Sequence, residues 1–303
     1  MNKKSIYKTA PGEILVMGYY NQLLEQWPVS YDSGRTNTRH GRTHVIACGD
    51  PLNPPLIMLH GSNSNSAAWM GDVARYCQHF RVYLVDIPGE PGKSSRNRPS
   101  WRSPAFAEWL EDVLNELNLE QASILGLSYG GWIALKYAIY QPERVDKLVL
   151  LAPSGLVPTR WSFLAKAVPL SLMGKKGAEI LNKLVVGEED IGEEAWKFIN
   201  LVMTNFRPRI GTIEMFSDED LQRLTMPVKL FTGLKDVINH SEKMAARLGR
   251  LLPQADVTVL PDRGHVLINL TAEIVEFLLN GAETIQEYQP EPAEANPDPE
   301  PEV

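Results

Sequence analysis

The sequence lacks the features that mark secreted, membrane-spanning or nucleic-acid-binding proteins. Its 303 residues include only two cysteines, Cys48 and Cys77, which are too few for a disulfide framework and typical of a reducing compartment. No apolar run reaches membrane-spanning length. The short apolar run at residues 14–17, which follows Lys3 and Lys4, lacks the continuous apolar core and the cleavage site of a signal peptide. We therefore expect a cytoplasmic protein without a membrane partner.

An excess of basic residues is also missing. The net charge is −7, and residues 282–303 hold seven carboxylates and no Lys or Arg, so the remaining 30 acidic residues balance the 30 basic ones. A neutral body has no basic face for nucleic acid. The same 22 residues contain five prolines, which predicts a disordered, acidic, proline-rich tail. A partner-binding role for this tail is an alternative interpretation.

The most informative motif that is present is Gly-Leu-Ser-Tyr-Gly at residues 126–130. A strand-like run at 122–125 precedes it and a helix-like run at 132–140 follows it, a context that separates a nucleophile elbow from a chance glycine-rich turn. The serine backbone is strained at such an elbow, so the residues two before and two after it must be very small. Gly126 and Gly130 meet that need. We predict Ser128 as a nucleophile.

A serine hydroxyl needs a base that is itself oriented by a carboxylate, and on this type of elbow the order is serine, acid, histidine. A buried strand at 228–232 leads to Asp236, and an alternating strand at 256–260 leads to His265. Each would be an ordinary turn residue if taken alone, but their order after the elbow predicts Asp236 as the acid and His265 as the base. Asp262 is the rival acid, although its position three residues before His265 suits a turn-shaping role. The remaining histidines are weaker candidates: His40, His44, His79 and His240.

Acyl transfer also needs donors for an oxyanion, one of which is the backbone N–H after the nucleophile. That residue is Tyr129. The second donor comes from an early strand-to-helix loop, and the apolar strand at 55–59 ends in His60-Gly61-Ser62. We predict the Ser62 N–H as this donor, His60 as a packed structural residue, and Gly61 as the position that lets the backbone turn inward.

A second glycine-containing segment, Gly92-Lys93-Ser94, invites a nucleotide-binding interpretation. A phosphate-cradling loop has a glycine five residues before the second one, and Ile87 occupies that position. Too few backbone N–H groups would then converge on a phosphate. We therefore predict no nucleotide site, and the predicted chemistry requires neither a metal nor a cofactor.

Strands and helices alternate along most of the chain, which predicts an α/β protein with a mostly parallel central sheet and helices on both faces. We assign residues 38–154 and 221–281 to this core and residues 1–37 to an N-terminal helical extension, with its helix at 13–27. Residues 155–220 break the alternation with helix-like runs and are predicted to form a helical lid. Most aromatic and Met residues of the lid are expected in its own core, and some are expected to line a pocket over Ser128.

In order along the chain, these motifs resemble the α/β-hydrolase superfamily: residues 59–62, 86–94, 126–130, 233–236 and 264–265. Residues 27–29 and 38–47 are similar to the bacterial carboxylesterase NP type within it. One departure concerns the common pattern D-x-x-G-x-G-x-S, which here carries an extra residue at Glu90-Pro91. Dehalogenases and epoxide hydrolases of the superfamily use an aspartate at the elbow, and Ser128 argues against both.

The sequence thus predicts a serine carboxylester hydrolase that forms an acyl-enzyme and acts on small to medium apolar esters. A carbon–carbon bond hydrolase or a lactonase with the same three residues is the alternative among enzymes. A catalytically silent binding protein on the same fold is the alternative outside them.

Overall fold

The structure, a computed structural model, describes residues 5–280. Eight strands in these residues form one sheet of order β1-β2-β4-β3-β5-β6-β7-β8. β1 and β2 are antiparallel additions at one edge, and β3 to β8 are parallel. The strands are β1 Tyr31–Thr36, β2 Thr43–Cys48, β3 Pro55–Leu59, β4 Arg81–Val85, β5 Ala122–Leu127, β6 Val145–Leu151, β7 Val228–Gly233 and β8 Asp256–Leu260.

Helices cover both faces of this sheet. Their bounds are α1 Ala10–Glu25, α2 Val73–Tyr76, α3 Ala105–Glu116, α4 Tyr129–Tyr140, α5 Trp161–Leu172, α6 Gly174–Val186, α7 Glu193–Asn205, α8 Asp218–Leu221, α9 Ser241–Leu251 and α10 Thr271–Leu279. Within residues 5–280, no helix combines the length and the apolar character that crossing a membrane would require.

The two cores follow from the period-two geometry of the strands. Along β3, Ile57 and Leu59 face one core, which includes residues of α3, α4 and α9. Leu56 and Met58 face the opposite core, which includes residues of α1, α2 and α10. All four side chains are fully buried. A parallel strand buried on both faces is a continuous apolar run rather than an alternating one. This is why β3 can be predicted from the sequence.

The N-terminal segment differs in two ways from the prediction of a helical extension at 1–37. Helix α1 begins three residues before the predicted start at residue 13 because the Thr9 hydroxyl accepts a hydrogen bond from the Gly12 N–H at 3.0 Å and Pro11 lies in the first turn. Residues 31–36 form a strand, β1, paired with β2 from Tyr31↔Cys48 to Thr36↔Thr43. Its sequence is polar and largely exposed, so no apolar alternation announces it.

Residues 155–220, the predicted lid, lie between β6 and β7 and hold α5, α6 and α7. We call this segment the helical insertion. Helix α7 packs on α1 and on α6, and α6 packs on α5. The expected lid core is wrong for α5, none of whose side chains is buried. Trp161 and Leu172 are 78% and 85% exposed.

Two predicted features fall partly or wholly beyond these bounds. The last helix begins at Thr271 and ends at Leu279. The last residue of the predicted core, Gly281, and the predicted acidic tail at 282–303 lie outside the described residues.

Candidate active site

Ser128 lies at the turn between β5 and α4, as the elbow motif predicts. Its φ of 50° and ψ of −104° put a non-glycine residue at positive φ, a conformation that persists only where the surroundings enforce it. The Ser128 N–H donates to the Leu151 carbonyl at 2.8 Å, and the Ser128 carbonyl accepts from the Trp132 N–H at 3.0 Å. Strand β6 on one side and helix α4 on the other therefore fix the strained residue.

The glycines around Ser128 are sterically required. A Cβ on Gly126 would lie 2.6 Å from the Cα of Gly131, and a Cβ on Gly130 would lie 2.6 Å from the His60 carbonyl oxygen and closer still to that of Leu59. Both distances are far below ordinary van der Waals contact. The absence of these side chains lets the first turn of α4 approach the end of β3.

His265 and Asp236 lie on the loops that follow β8 and β7, and both reach Ser128's side of the sheet. The His265 Nε2 is 3.0 Å from the Ser128 Oγ, and its Nδ1 is 2.9 Å from the Asp236 Oδ2. The Asp236 carboxylate is held by its own loop, because its Oδ1 accepts from the Ile238 and Asn239 N–H groups at 2.7 and 3.0 Å. The structure thus joins three residues from three separate loops in one hydrogen-bonded chain.

The electrostatics of this chain favour one proton arrangement. Asp236 and His265 are only 1% and 6% exposed. Burial alone would raise the pKa of Asp236, but the hydrogen bond and charge of His265, with the two backbone N–H groups, outweigh it and hold the pKa below its ordinary value. An ionised Asp236 accepts the Nδ1 proton of His265. The Nε2 then carries the lone pair that accepts the Ser128 hydroxyl proton.

Two further polar residues near the site, the rival acid Asp262 and the amide Asn239, differ in what they contact. The Asp262 side chain is 88% exposed, and its Oδ1 is 3.7 Å from the Lys235 Nζ, so the structure does not bring it to His265. Sequence reasoning missed Asn239, whose Nδ2 donates to the Asp236 Oδ2 and to the Ala152 carbonyl, both at 3.3 Å. The sequence shows only that an amide residue stands three positions after the predicted acid.

His60, predicted to be a packed structural residue, is fully buried and contacts backbone groups with both ring nitrogens. Its Nε2 accepts from the Ile87 N–H at 2.9 Å, so its Nδ1 carries the proton and donates to the Gly61 carbonyl at 2.8 Å. Burial lowers the pKa of His60. A neutral His60 therefore ties the loop after β4 to the turn after β3.

The two predicted oxyanion donors lie on adjoining backbone segments. Tyr129 is the first residue of α4, and the first N–H groups of a helix have no carbonyl partner within it. Ser62 lies in the turn after β3, next to Gly61, where a Cβ would be in ordinary contact with the Leu127 side chain at 3.7 Å. The turn after β3 thus packs directly on the elbow.

The helical insertion meets the site at the Asp236 loop. The Arg160 N–H donates to the Ile238 carbonyl at 2.7 Å, which places the start of α5 beside this loop. A cavity of about 150 Å³ lies between them, and its lining combines apolar and charged side chains: Phe163, Leu184 and Leu234 with Arg160, Lys166, Lys235 and Asp236. In the part of the chain that the structure describes, no group of three or more His, Cys, Asp or Glu side chains is arranged to hold a metal ion.

Comparison with known proteins identifies the fold. A family model described as the alpha/beta hydrolase fold matches residues 54–177. The crystal structure of carboxylesterase CesB (YbfK) from Bacillus subtilis has a TM-score of 0.83 with this structure at 29% identity, covering 90% of this chain and 100% of that one. The predicted fold, a mostly parallel sheet covered by helices in an α/β-hydrolase arrangement, is confirmed.

Relatives extend over most of the chain. The carboxylesterase YbfK of Bacillus subtilis is 30% identical over 263 residues, which cover 82% of this chain and 86% of that protein. The structure of naproxen esterase (carboxylesterase NP) from Bacillus subtilis is 28% identical with a TM-score of 0.80, covering 89% of this chain and 99% of that one. The chain belongs to the α/β-hydrolase family, among its carboxylesterase-like enzymes, and the predicted resemblance to the carboxylesterase NP type is confirmed.

Proposed function

We propose that the protein is a serine carboxylester hydrolase that works through an acyl-enzyme. The observation that carries this proposal is the hydrogen-bonded chain from the Ser128 Oγ through His265 to Asp236, with spacings of 3.0 and 2.9 Å. Its supports are the strained elbow and the carboxylesterase relatives. A nucleophile, a base and an orienting acid within hydrogen-bond reach are the parts that acyl transfer needs.

In the first half-reaction the Ser128 Oγ attacks the ester carbonyl carbon while the His265 Nε2 accepts the hydroxyl proton. The carbonyl oxygen becomes an oxyanion, and the N–H groups of Tyr129 and Ser62 stabilise it. When the tetrahedral intermediate collapses, the bond to the alcohol oxygen breaks and His265 returns the proton to the leaving alkoxide. Asp236 stabilises the transient imidazolium and holds the tautomer.

In the second half-reaction water attacks the acyl-enzyme. His265 accepts a proton from this water, the same oxyanion donors act again, and the proton returns to the Ser128 Oγ as the carboxylic acid leaves. Ester and water are thus converted to alcohol and acid without a cofactor in either step.

We further propose that small to medium apolar esters are the substrates. The support for this proposal is the surface of α5, which presents exposed apolar side chains from its start at the Asp236 loop: Trp161, Leu164 and Val168. The cavity beside Asp236 adds Phe163, Leu184 and Leu234 to this surface, although charged side chains line it as well. Apolar surface of this kind binds acyl or alcohol groups that lack charge. We propose the helical insertion, residues 155–220, as the lid of this site.

The test is turnover of p-nitrophenyl esters of increasing acyl length by the purified protein and by Ser128→Ala. We expect the substitution to lower activity by about 10⁴-fold or more with an unchanged circular dichroism spectrum. A fluorophosphonate probe should label Ser128 and no other residue. Retained activity in folded Ser128→Ala would refute the assignment, and turnover of vinylogous diketones or lactones in preference to esters would favour the alternative enzymes. Absence of both turnover and labelling would favour a binding protein.

A further inference from the structure

Glu90 is a buried carboxylate that the proposed mechanism does not use. It lies in the loop after β4, at the Glu90-Pro91 position where the chain has one residue more than the common pattern. Its side chain is only 5% exposed. Glutamate is rarely buried to this extent unless its oxygens have partners.

The carboxylate binds the turn that carries the predicted oxyanion donor. The Glu90 Oε2 accepts from the Asn63 N–H at 2.6 Å, and Asn63 directly follows Ser62. Asn63 has a φ of 56°, a left-handed conformation that costs free energy in a non-glycine residue. A short hydrogen bond to a carboxylate at this residue offsets that cost and fixes the peptide plane between Ser62 and Asn63.

Pro91, the next residue, contacts the same turn at a second point. The Pro91 carbonyl accepts from the Asn65 Nδ2 at 2.9 Å, while the Asn65 Oδ1 accepts from the Ala67 N–H at 3.0 Å. Two successive residues of the loop after β4 therefore hold the turn after β3 at residues 63 and 65. The departure from the common pattern D-x-x-G-x-G-x-S thus coincides with the contact that shapes this turn.

The surroundings of Glu90 combine burial with partial charge compensation. Burial raises the pKa of Glu90 to about 7, although the Asn63 N–H and the charges of Arg98 and Arg209 act in the opposite direction. The Arg98 Nε donates to the Gly89 carbonyl at 3.2 Å, beside Glu90. Glu90 is therefore a carboxyl group whose charged form is costly to bury, and it lies against the turn that carries Ser62.

We propose that Glu90 is a positioning residue for the oxyanion hole: by anchoring the Asn63 N–H, its carboxylate sets the turn so that the Ser62 N–H converges with the Tyr129 N–H on the substrate carbonyl oxygen. This inference rests on the proposed esterase function. An oxyanion donor acts mainly on the transition state, so loss of its positioning lowers kcat and leaves KM nearly unchanged.

Two substitutions of similar size separate positioning from packing. Glu90→Gln keeps an oxygen that can accept from the Asn63 N–H, and Glu90→Met removes it with little change in volume. We expect Glu90→Met to lower kcat on an aryl ester by about 10- to 100-fold, below the full loss of an oxyanion donor, and Glu90→Gln to stay within about threefold of the wild type. The affinity for a boronic acid that forms a tetrahedral adduct with Ser128 should fall in parallel with kcat.

The control is wild type against Ser128→Ala in the same assay. If the wild type lacks esterase activity, the proposed function fails; if it is active and Ser128→Ala is not, the Glu90 variants decide the present inference alone. Unchanged kcat in folded Glu90→Met, or equal losses in Glu90→Gln and Glu90→Met, would overturn it. If Glu90→Met does not fold, Glu90→Asp, which withdraws the acceptor by one methylene, must show the kcat loss at unchanged KM.

Discussion

The Asp236 Oδ2 lies 2.9 Å from the His265 Nδ1, although 29 residues separate the two along the chain. The contact forms because β7 and β8 are neighbouring parallel strands, paired from Lys229↔Asp256 to Gly233↔Leu260. Their carboxyl ends therefore open at the same edge of the sheet, where the loops of an α/β fold carry their functional side chains. Topology thus supplies the contact, and local sequence supplies the groups.

This pairing predicts unequal effects for two aspartates of similar sequence context. Asp236→Asn should lower kcat by about 10³- to 10⁴-fold, because an amide cannot hold the tautomer in which Nε2 accepts the Ser128 proton. Asp262→Asn should cost no more than about tenfold, since the Asp262 side chain faces solvent beside Lys235. Both variants are measured on one activated aryl ester, with circular dichroism as the check on folding. A larger loss in Asp262→Asn would require a different acid.

The elbow predicts a steric effect at Gly130. Gly130→Ala would press a methyl group against the Leu59 and His60 carbonyl oxygens, and overpacking of this kind costs about 1–3 kcal/mol. The matched control is Gly18→Ala in α1, where no atom lies within 4 Å of the added Cβ and the free energy of unfolding should rise by about 0.5–1 kcal/mol. Urea unfolding of both variants measures the difference. Equal stability of Gly130→Ala and wild type would contradict the close approach of α4 to β3.

Much of the sheet is readable from the sequence because its strands are apolar runs bounded by turn residues. The strands predicted at 55–59 and 256–260 have these bounds in the structure. The polar strand β1 could not be predicted in this way, because it is a strand through its pairing with β2 and not through its composition. Helix α5 shows the opposite error: its apolar composition predicts burial, but none of its side chains is buried. Apolar composition predicts burial only where packing partners exist on enough sides.

The residues of the candidate site also differ in whether the sequence predicts them. Ser128, Asp236 and His265 each follow a recognisable strand, so their order along the chain predicts that they meet. Asn239 and Glu90 depend on contacts with Ala152 and Asn63, respectively. Such long-range hydrogen bonds leave no periodic trace in the sequence, and only the folded arrangement reveals them.

Asp86 predicts a specific dependence of stability on pH. Burial alone would raise its pKa, but interaction with His44 and the N–H of Lys93 outweighs burial and holds the pKa well below its usual range. The carboxylate also accepts from the Ser66 N–H and Oγ at 2.9 and 2.7 Å. Because the folded-state pKa is depressed, the stabilisation is fully present above the unfolded-state pKa and is lost as the pH falls below it.

We therefore expect Asp86→Asn to be less stable than wild type at pH 7, by about 1–3 kcal/mol, and the gap between the two to narrow as the pH is lowered below about 4. Thermal melts of both proteins from pH 7 to pH 3 provide the measurement. A gap that stays constant over this range would show that Asp86 does not titrate with a depressed pKa.

The contact between α7 and α1 predicts that the N-terminal segment supports the helical insertion. Phe198 of α7 is 5% exposed and stacks on Tyr19 of α1 with ring centroids 6.1 Å apart. Phe198→Ala should lower the free energy of unfolding by roughly 3 kcal/mol, because it opens a cavity between the two helices. Leu172→Ala, at an 85% exposed position of α5, should change it by less than about 0.5 kcal/mol.

Limited proteolysis separates a local effect from a global one in this pair. If α1 anchors the insertion, Phe198→Ala should be cleaved first within residues 155–220, where α6 and α5 depend on α7 for their place, and cleavage elsewhere should remain at the wild-type rate. Leu172→Ala should keep the wild-type pattern throughout. Uniformly faster cleavage of Phe198→Ala would mean that α7 belongs to the same cooperative unit as the sheet, and the insertion could not then open independently of the core.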